Sequence, residues 1–151
     1  MIIRSLEHLK LISNEVAEKV SGNDCIFLIG EIGVGKTTFT RNFINYLQKK
    51  NAIKQTEVLS PTFNLLYEYE IKNLKVMHYD LYRIKKKKEL NELGIFEENY
   101  DTIKIIEWPE LVETKEKNRL EIYLSYSKKD HERKLIFIGH GKWKDFNENR
   151  L

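Results

Sequence analysis

The chain has 151 residues, a mass of 18.1 kDa and 41% hydrophobic residues, which predicts one folded globular domain over residues 1–151. Its 26 basic and 23 acidic residues nearly cancel, so the net charge of +3 indicates a mixed-charge surface rather than a nucleic-acid-binding one. A single cysteine, Cys25, excludes a disulfide framework, and no apolar run approaches membrane-spanning length, so we expect a soluble, cytoplasmic protein.

The first predicted element is a helix over residues 5–20. Ser5 is a typical N-cap, and Gly22 lies just beyond the expected end of the helix. The positions expected to face the core are Leu6, Leu9, Ile12, Val16 and Val20.

A strand, a glycine-rich loop and a second helix are predicted next. The apolar run 24–29 is typical of a strand buried on both faces, with Cys25 as a small core residue. After the loop, residues 37–47 place their apolar side chains on one helical face. This order points the free N–H groups of a helix N-terminus at an anion.

The loop between them, GEIGVGKT, fits the P-loop pattern G-x-x-x-x-G-K-[ST] without a mismatch and predicts a site for a nucleotide polyphosphate with a magnesium ion. Its glycines let backbone amides approach the anion, Lys36 reaches the β- and γ-phosphates, and the Thr37 hydroxyl coordinates the metal. The residues expected to bind the nucleotide are Gly30, Glu31, Ile32, Gly33, Val34, Gly35, Lys36, Thr37 and Thr38.

The rest of the chain predicts two antiparallel hairpins, a helical segment and another buried strand. In chain order these are a hairpin of 63–70 with 75–80, a helical segment over 85–99 that is broken near Gly94, a strand over 103–107, and a hairpin of 119–127 with 134–139. Together with the P-loop unit they predict an α/β P-loop NTPase fold. We expect a mostly parallel central sheet flanked by helices, with the hairpins making the sheet mixed.

Phosphoryl transfer needs groups beyond the P-loop, and three residues are candidates. Asp80 and Glu107 each end a predicted strand, where ligands of α/β sheets bind. Thr62 lies in a Ser-Pro-Thr loop and is a candidate second hydroxyl for the metal. Each also has a structural alternative: a surface carboxylate or helix cap for the two acids, and an ordinary turn residue for Thr62.

Four segments in this order, GEIGVGKTTFTR, SPTFNLLYEY, HYDLYR and IIEWPE, resemble the bacterial TsaE family. That family is the small P-loop ATPase of the pathway that installs threonylcarbamoyladenosine in tRNA. The P-loop is shared by a large superfamily, whereas SPTF, HxDLYR and EWPE together are far more specific. The resemblance covers residues 26–110 and extends to the C-terminal hairpin; Glu31, where aspartate is common, is a mild departure.

The resemblance implies a role for each matched residue. Thr62 would lie in a switch-like loop near the γ-phosphate, and Asp80 would be the Walker-B-like acid near the metal or the attacking water. Glu107 would be a further metal-linked carboxylate needed for turnover. The implied catalytic set is Lys36, Asp80 and Glu107, and the implied metal-linked set is Thr37, Thr62, Asp80 and Glu107.

Other residues near these motifs have two interpretations. By resemblance Trp108 would lie beside the nucleotide, and otherwise it is a packing aromatic. Arg41 and Arg83 are candidates for a phosphate or partner contact and equally for solvated surface, while His78 is expected to make a structural hydrogen bond. The lysine run 85–88 is expected to be a solvated face, with tRNA phosphate or an acidic partner as the alternative contact.

The implied function is magnesium-dependent ATP hydrolysis in association with the TsaB–TsaD complex. The chain would meet tRNA only through that complex, with no membrane or DNA partner. Adenine is expected over guanine because the N-K-x-D motif of GTPases is missing. Two alternatives remain open. One is a small-molecule kinase, although the segment after Asp80 has no arginine-bearing lid; the other is a nucleotide-gated assembly factor with little hydrolysis of its own.

Overall fold

The computed structural model describes residues 1–113, 116–129 and 131–146, which form a mixed seven-stranded sheet with helices packed on it. The strands are β1 (Ile2–Ile3), β2 (Cys25–Ile29), β3 (Leu66–Ile71), β4 (Leu74–Asp80), β5 (Thr102–Glu107), β6 (Arg119–Tyr126) and β7 (Arg133–His140). The helices are α1 (Leu6–Lys19), α2 (Lys36–Lys50) and the short α3 (Lys88–Glu92), with 3₁₀ turns at Pro109–Leu111 and Gly141–Trp143.

The strand order is β1-β7-β6-β2-β5-β4-β3. The four central strands β6, β2, β5 and β4 are mutually parallel, so their carboxyl ends lie along one edge. The hairpins β3–β4 and β6–β7 and the short β1 add the antiparallel pairs. This confirms the predicted α/β fold with a mostly parallel core and two added hairpins.

Successive side chains of β2 point to opposite faces of the sheet, so they belong to two separate core clusters. Ile26 and Leu28 face the cluster formed with α1 and α2, whereas Cys25 and Phe27 face a cluster formed with the segment after β4. Cys25 is 1% exposed, and desolvation raises the pKa of its thiol well above the ordinary range. The predicted core role of Cys25 and the predicted two-sided burial of its strand are both confirmed.

Helix α1 begins as predicted, because the Ser5 hydroxyl accepts a hydrogen bond from the His8 amide at 3.1 Å. The prediction that Leu6 faces the core is wrong, since 74% of its surface is exposed. Val20 is also partly exposed and lies just beyond the end of the helix at Lys19.

Two predicted elements are shorter in the structure than the sequence suggested. The helical segment predicted over 85–99 reduces to α3, and the predicted break near Gly94 is confirmed, because that glycine takes a φ of +65° two residues after the helix ends. The strand predicted from 63 begins at Leu66, since Leu65 has a left-handed φ of +66°. Residues 51–57 form a loop, as expected.

A polar cluster lies on the C-terminal hairpin. The Glu121 carboxylate accepts hydrogen bonds from Arg119 Nε at 3.0 Å and from the Tyr123 hydroxyl at 2.9 Å, and it lies 3.2 Å from His140 Nε2. Burial raises the pKa of Glu121, but the hydrogen bonds from Tyr123 and Arg119 outweigh it, so that pKa lies below its ordinary value.

In the described part of the chain, none of the helices is long and apolar enough to cross a bilayer.

Candidate functional site

The glycine-rich loop joins the carboxyl end of β2 to the first turn of α2, as the motif predicts. Gly30, Gly33 and Gly35 have φ values of +152°, +75° and +119°, which L side chains rarely adopt. A Cβ on Gly30 would also lie 2.2 Å from the carbonyl oxygen of Leu124 on β6. Glycine is therefore required at Gly30 both by backbone conformation and by the closeness of the neighbouring strand.

The Lys36 ammonium is folded back onto its own loop. Its Nζ donates hydrogen bonds to the carbonyl oxygens of Gly30 at 2.7 Å and Glu31 at 2.8 Å, and it lies 4.0 Å from the centre of the Trp108 ring. Burial lowers the pKa of Lys36, and the nearby carboxylates, Glu107 foremost, oppose that shift. The loop thus holds a largely desolvated cation whose present acceptors are neutral.

Sheet register brings the two predicted acids to the same place. In the parallel pair β4–β5, Asp80 lies directly opposite Glu107, and β5 is also the neighbour of β2. Both carboxylates are buried, with exposures of 3% and 2%. The strand that follows β2 across the sheet therefore carries Glu107, and Asp80 lies one strand further away.

Glu107 is held between two donors. Its Oε2 accepts a hydrogen bond from the Thr37 hydroxyl at 3.1 Å, and its Oε1 lies 2.8 Å from His78 Nε2. The hydroxyl that the P-loop motif assigns to the metal therefore contacts Glu107, and the Walker-B-like role that the resemblance implies for Asp80 stays a prediction.

Asp80 is instead bound to the loop that precedes β3. Its Oδ2 accepts hydrogen bonds from Thr62 at 2.8 Å and from Ser60 at 3.2 Å, and its Oδ1 accepts the Tyr82 amide at 3.0 Å. Thr62 therefore reaches the site, as expected. Ser60 was not predicted, although it belongs to the same SPTF segment.

Side chains of α2 fix the start of that loop. Arg41 Nε donates to the carbonyl oxygen of Val58 at 3.1 Å, and Gln48 makes two hydrogen bonds with Thr56. Arg41 thus has a structural contact and does not line the cavity described next. The Arg83 guanidinium lies 5.3 Å from the exposed Phe63 ring, also outside that cavity.

A cavity of about 290 Å³ collects most of the predicted residues. From the loop and the start of α2 it is lined by Ile32, Gly33, Gly35, Lys36, Thr37 and Thr38. From later segments it is lined by Thr62, Asp80, Glu107 and Trp108, together with Ser60 and Tyr82. The remaining predicted binders do not line the cavity: Val34 is buried, while the carbonyl oxygens of Gly30 and Glu31 accept hydrogen bonds from Lys36.

Trp108 lies over this cavity in a strained conformation. Its φ and ψ are +59° and +57°, in the left-handed region, and its ring is 4.9 Å from that of Tyr82. Trp108 therefore lines the cavity and also packs against another aromatic ring, while its position beside a bound nucleotide stays a prediction. The lysine run 85–88 is exposed and does not line the cavity; Lys87 pairs with Glu113.

The side-chain atoms at the cavity that could bind a metal ion suit magnesium better than a softer metal. Within the described residues no group of three or more His, Cys, Asp and Glu side chains forms a metal site. The available ligands are oxygens: the Thr37 hydroxyl and the carboxylates of Glu107 and Asp80. Magnesium is commonly held by one or two carboxylates plus substrate phosphates and water, so this set suits it.

A second, smaller cavity of about 150 Å³ lies on the other side of the glycine loop and was not predicted. Gly33, Gly35 and Thr38 line both cavities, and the second is completed by Leu6, His131 and Arg133, among others. Tyr126, also not predicted, donates its hydroxyl to the carbonyl oxygen of Ile32 at 2.8 Å and braces the loop. No sequence pattern predicts this contact, because 94 positions separate the two residues.

Comparison with known proteins gives consistent results. The family model described as "Threonylcarbamoyl adenosine biosynthesis protein TsaE" matches residues 3–135. A Rickettsia conorii protein named tRNA threonylcarbamoyladenosine biosynthesis protein TsaE is 39% identical over 110 residues, which are 73% of this chain and 61% of that protein. A protein of the same name from Bacillus subtilis is 31% identical over 137 residues, 89% of this chain and 82% of the relative.

Among solved structures, the crystal structure of Bacillus subtilis YdiB is similar, with a TM-score of 0.70 and 26% identity over 96% of this chain and 87% of that one. The match with the two Rickettsia relatives from R. conorii and R. felis spans only 61% and 63% of their lengths.

Proposed function

The chain belongs to the family of threonylcarbamoyl adenosine biosynthesis protein TsaE, and we propose that it is a magnesium-dependent ATPase of the machinery that forms threonylcarbamoyladenosine in tRNA. One observation carries the proposal: Lys36 and Thr37 of the P-loop share a single cavity with Asp80, Glu107 and Thr62. Phosphoryl transfer depends on positioning and charge neutralisation, and this set of groups supplies both.

We propose different tasks for the two acids because they have different hydrogen-bond partners. Thr37 and Glu107, already hydrogen-bonded to each other, would hold the magnesium ion. When bound, that ion neutralises phosphate charge and orients the polyphosphate. Asp80 is held by Ser60 and Thr62 and is placed to orient or deprotonate the attacking water. The proposal thus makes Glu107 the metal-linked acid and Asp80 the water-positioning one.

Binding of the polyphosphate requires Lys36 to exchange partners. Its Nζ now donates to the carbonyl oxygens of Gly30 and Glu31, which are neutral acceptors. A phosphate oxygen carries negative charge, so it attracts the ammonium by a charge–charge interaction that a neutral carbonyl oxygen cannot supply. The ammonium therefore turns toward the β- and γ-phosphates when ATP enters.

The second cavity is the proposed site for adenosine. Because Gly33, Gly35 and Thr38 line both cavities, a nucleotide with its phosphates in the first can extend around the loop into the second. Leu6 would then lie against the base, which accounts for an exposed leucine at the start of α1.

Substitution of Leu6 tests this placement. Leu6→Asp should weaken ATP binding about tenfold, whereas Leu11→Asp, the same change at another exposed leucine of α1, should leave affinity unchanged. Affinity is measured by calorimetry with a non-hydrolysable ATP analogue, and equal affinities of the two variants would place adenosine elsewhere.

The proposed partner is a TsaB–TsaD-type complex in the cytoplasm, with tRNA reached only through it. Among described residues, Lys36 is the basic side chain lining the first cavity, and no arginine lines it. In related reactions an arginine supplied by a partner raises turnover by about 10³ to 10⁵. Hydrolysis by the isolated chain should therefore be slow and should rise when the partner binds.

Phosphate release from ATP tests the whole proposal. It is measured for the chain alone and then with the TsaB–TsaD complex and tRNA. Asp80→Ala and Glu107→Ala should abolish turnover and keep much of the nucleotide affinity, while Lys36→Ala should weaken nucleotide binding itself. Glu110→Gln, an exposed carboxylate on the neighbouring 3₁₀ turn, is the matched control. No stimulation by the complex, together with phosphate transfer to a small metabolite, would favour a kinase instead.

The kinase alternative gains no support from the segment after β4. Leu81, Ile84, Leu90 and Ile95 of that segment are buried against the sheet in the cluster containing Cys25. That packing makes the segment part of the core, whereas a kinase lid has to open and close over the phosphates.

A further inference from the structure

His78 is a buried polar residue to which the proposed mechanism gives no task. It lies in the middle of β4, paired with Tyr67 on β3 and with Ile105 on β5, and it is completely buried. Burial of an imidazole between two strands is unfavourable unless its nitrogen atoms are hydrogen-bonded. What His78 contacts therefore indicates what it does.

The polar contact of the ring is with Glu107. Nε2 lies 2.8 Å from Glu107 Oε1, while Nδ1 has no hydrogen-bond partner among the described residues. Of the two ring nitrogens, Nε2 is therefore the one placed to donate a hydrogen bond to the carboxylate. The ring is thus oriented entirely toward Glu107.

His78 does not line the cavity, so it is separated from the nucleotide by Glu107. Glu107 in turn presents its other oxygen to the Thr37 hydroxyl at 3.1 Å. A glutamate side chain has three rotatable bonds, and a hydrogen bond formed before the ligand arrives offsets the entropic cost of fixing them.

We infer that His78 is a positioning residue that holds the Glu107 carboxylate in the orientation needed for magnesium at Thr37. This inference rests on the proposed function, because it assigns Glu107 to the metal. It adds a second layer to the site, in which β4 contributes Asp80 to the cavity and His78 behind it. Groups that orient a metal-binding side chain commonly change metal affinity by about 10- to 100-fold when they are removed.

The test compares substitutions that keep or lose the hydrogen-bond donor at the Nε2 position. The amide nitrogen of a glutamine side chain falls near Nε2, whereas that of an asparagine falls near Nδ1, so His78→Gln keeps the contact and His78→Asn loses it at similar polarity. His78→Leu removes it altogether. Val76→Ala, a cavity-forming change at another fully buried position of β4, controls for general loosening of the strand.

Calorimetry measures the affinity for a non-hydrolysable ATP analogue at a series of magnesium concentrations. The quantity compared between variants is the half-maximal magnesium concentration, at which half of the total increase in affinity has been reached. His78→Asn and His78→Leu should raise that concentration about tenfold or more, and His78→Gln should stay within about threefold of the parent chain. Val76→Ala should lower the unfolding temperature and leave the magnesium requirement unchanged. Should the leucine variant not fold, the comparison of asparagine with glutamine gives the same decision.

Two failures are distinguishable. If the unsubstituted chain binds the analogue equally well with and without magnesium, the proposed function is refuted, and the role of His78 with it. If magnesium raises the affinity of that chain, and a folded His78→Asn or His78→Leu variant needs the same half-maximal magnesium concentration as the parent, only the positioning role is refuted.

Discussion

The left-handed backbone of Trp108 gives a prediction that separates conformation from side-chain contacts. Replacement by glycine and by alanine removes the same ring, and with it the contacts to Lys36 and Tyr82. The two variants then differ chiefly in how well each residue tolerates a φ of +59°. We expect the glycine variant to be the more stable one.

The expected difference follows from two opposed terms. A left-handed conformation costs an L residue roughly 1–2 kcal/mol, a cost that glycine avoids. Glycine in turn loses about 0.4–1 kcal/mol more chain entropy on folding than alanine does. The net preference for glycine is therefore about 1 kcal/mol, or roughly 2–4 °C in unfolding temperature for a domain of this size.

Urea unfolding followed by circular dichroism measures the difference without relying on tryptophan fluorescence. The control is the same pair at Glu110, an exposed position of the neighbouring 3₁₀ turn with ordinary φ, where alanine should be equal to or better than glycine. An alanine variant at Trp108 as stable as the glycine variant would show that the backbone there is unstrained, and the reasoning would fail.

Three further predictions concern residues of the hairpin β6–β7. Tyr126→Phe removes the hydrogen bond to Ile32, so ATP-analogue affinity should fall about fivefold while the unfolding free energy changes little; unchanged affinity in calorimetry would mean the brace is unnecessary. Gly139→Ala would place a Cβ 1.7 Å from the Trp143 carbonyl oxygen, so thermal unfolding should show a loss of at least about 2 kcal/mol, and a parent-like melting temperature would contradict this. Because the pKa of Glu121 is lowered on folding, its carboxylate stabilises the fold above the ordinary value of 4.5, and this contribution is lost as pH falls through the folded-state pKa. The stability advantage of the parent over Glu121→Gln should therefore shrink as the pH is lowered from neutral to below 4.5 in urea unfolding, and a constant difference would refute that coupling.

The sequence predicted those parts of the site that depend on local spacing. The P-loop unit follows from the glycines and the apolar face of α2, which needs no knowledge of distant residues. Asp80 and Glu107 were predictable one step further, because parallel strands end at one edge of a sheet. That argument places both acids near the loop, and the structure brings both to the cavity.

Sequence reasoning could not decide what depends on strand order or register. Which acid meets Thr37 depends on β5, and not β4, lying beside β2. The pairing of His78 with Glu107 likewise requires the register of two strands. The exposure of Leu6 was missed because helical spacing finds an apolar face without showing where the neighbouring elements end.

The hydrogen bonds of Glu107 join groups that are far apart along the chain. Thr37 is 70 positions away and His78 is 29, so the first contact requires β5 to pair with β2 and the second requires β5 to pair with β4. Such non-local pairings are late and slow events in folding. A partly folded chain with only β2, its loop and α2 in place would have the phosphate cradle without the carboxylate. A ligand that needs both would bind only the completed sheet, and at saturating concentration it would raise the population of fully folded chains by mass action.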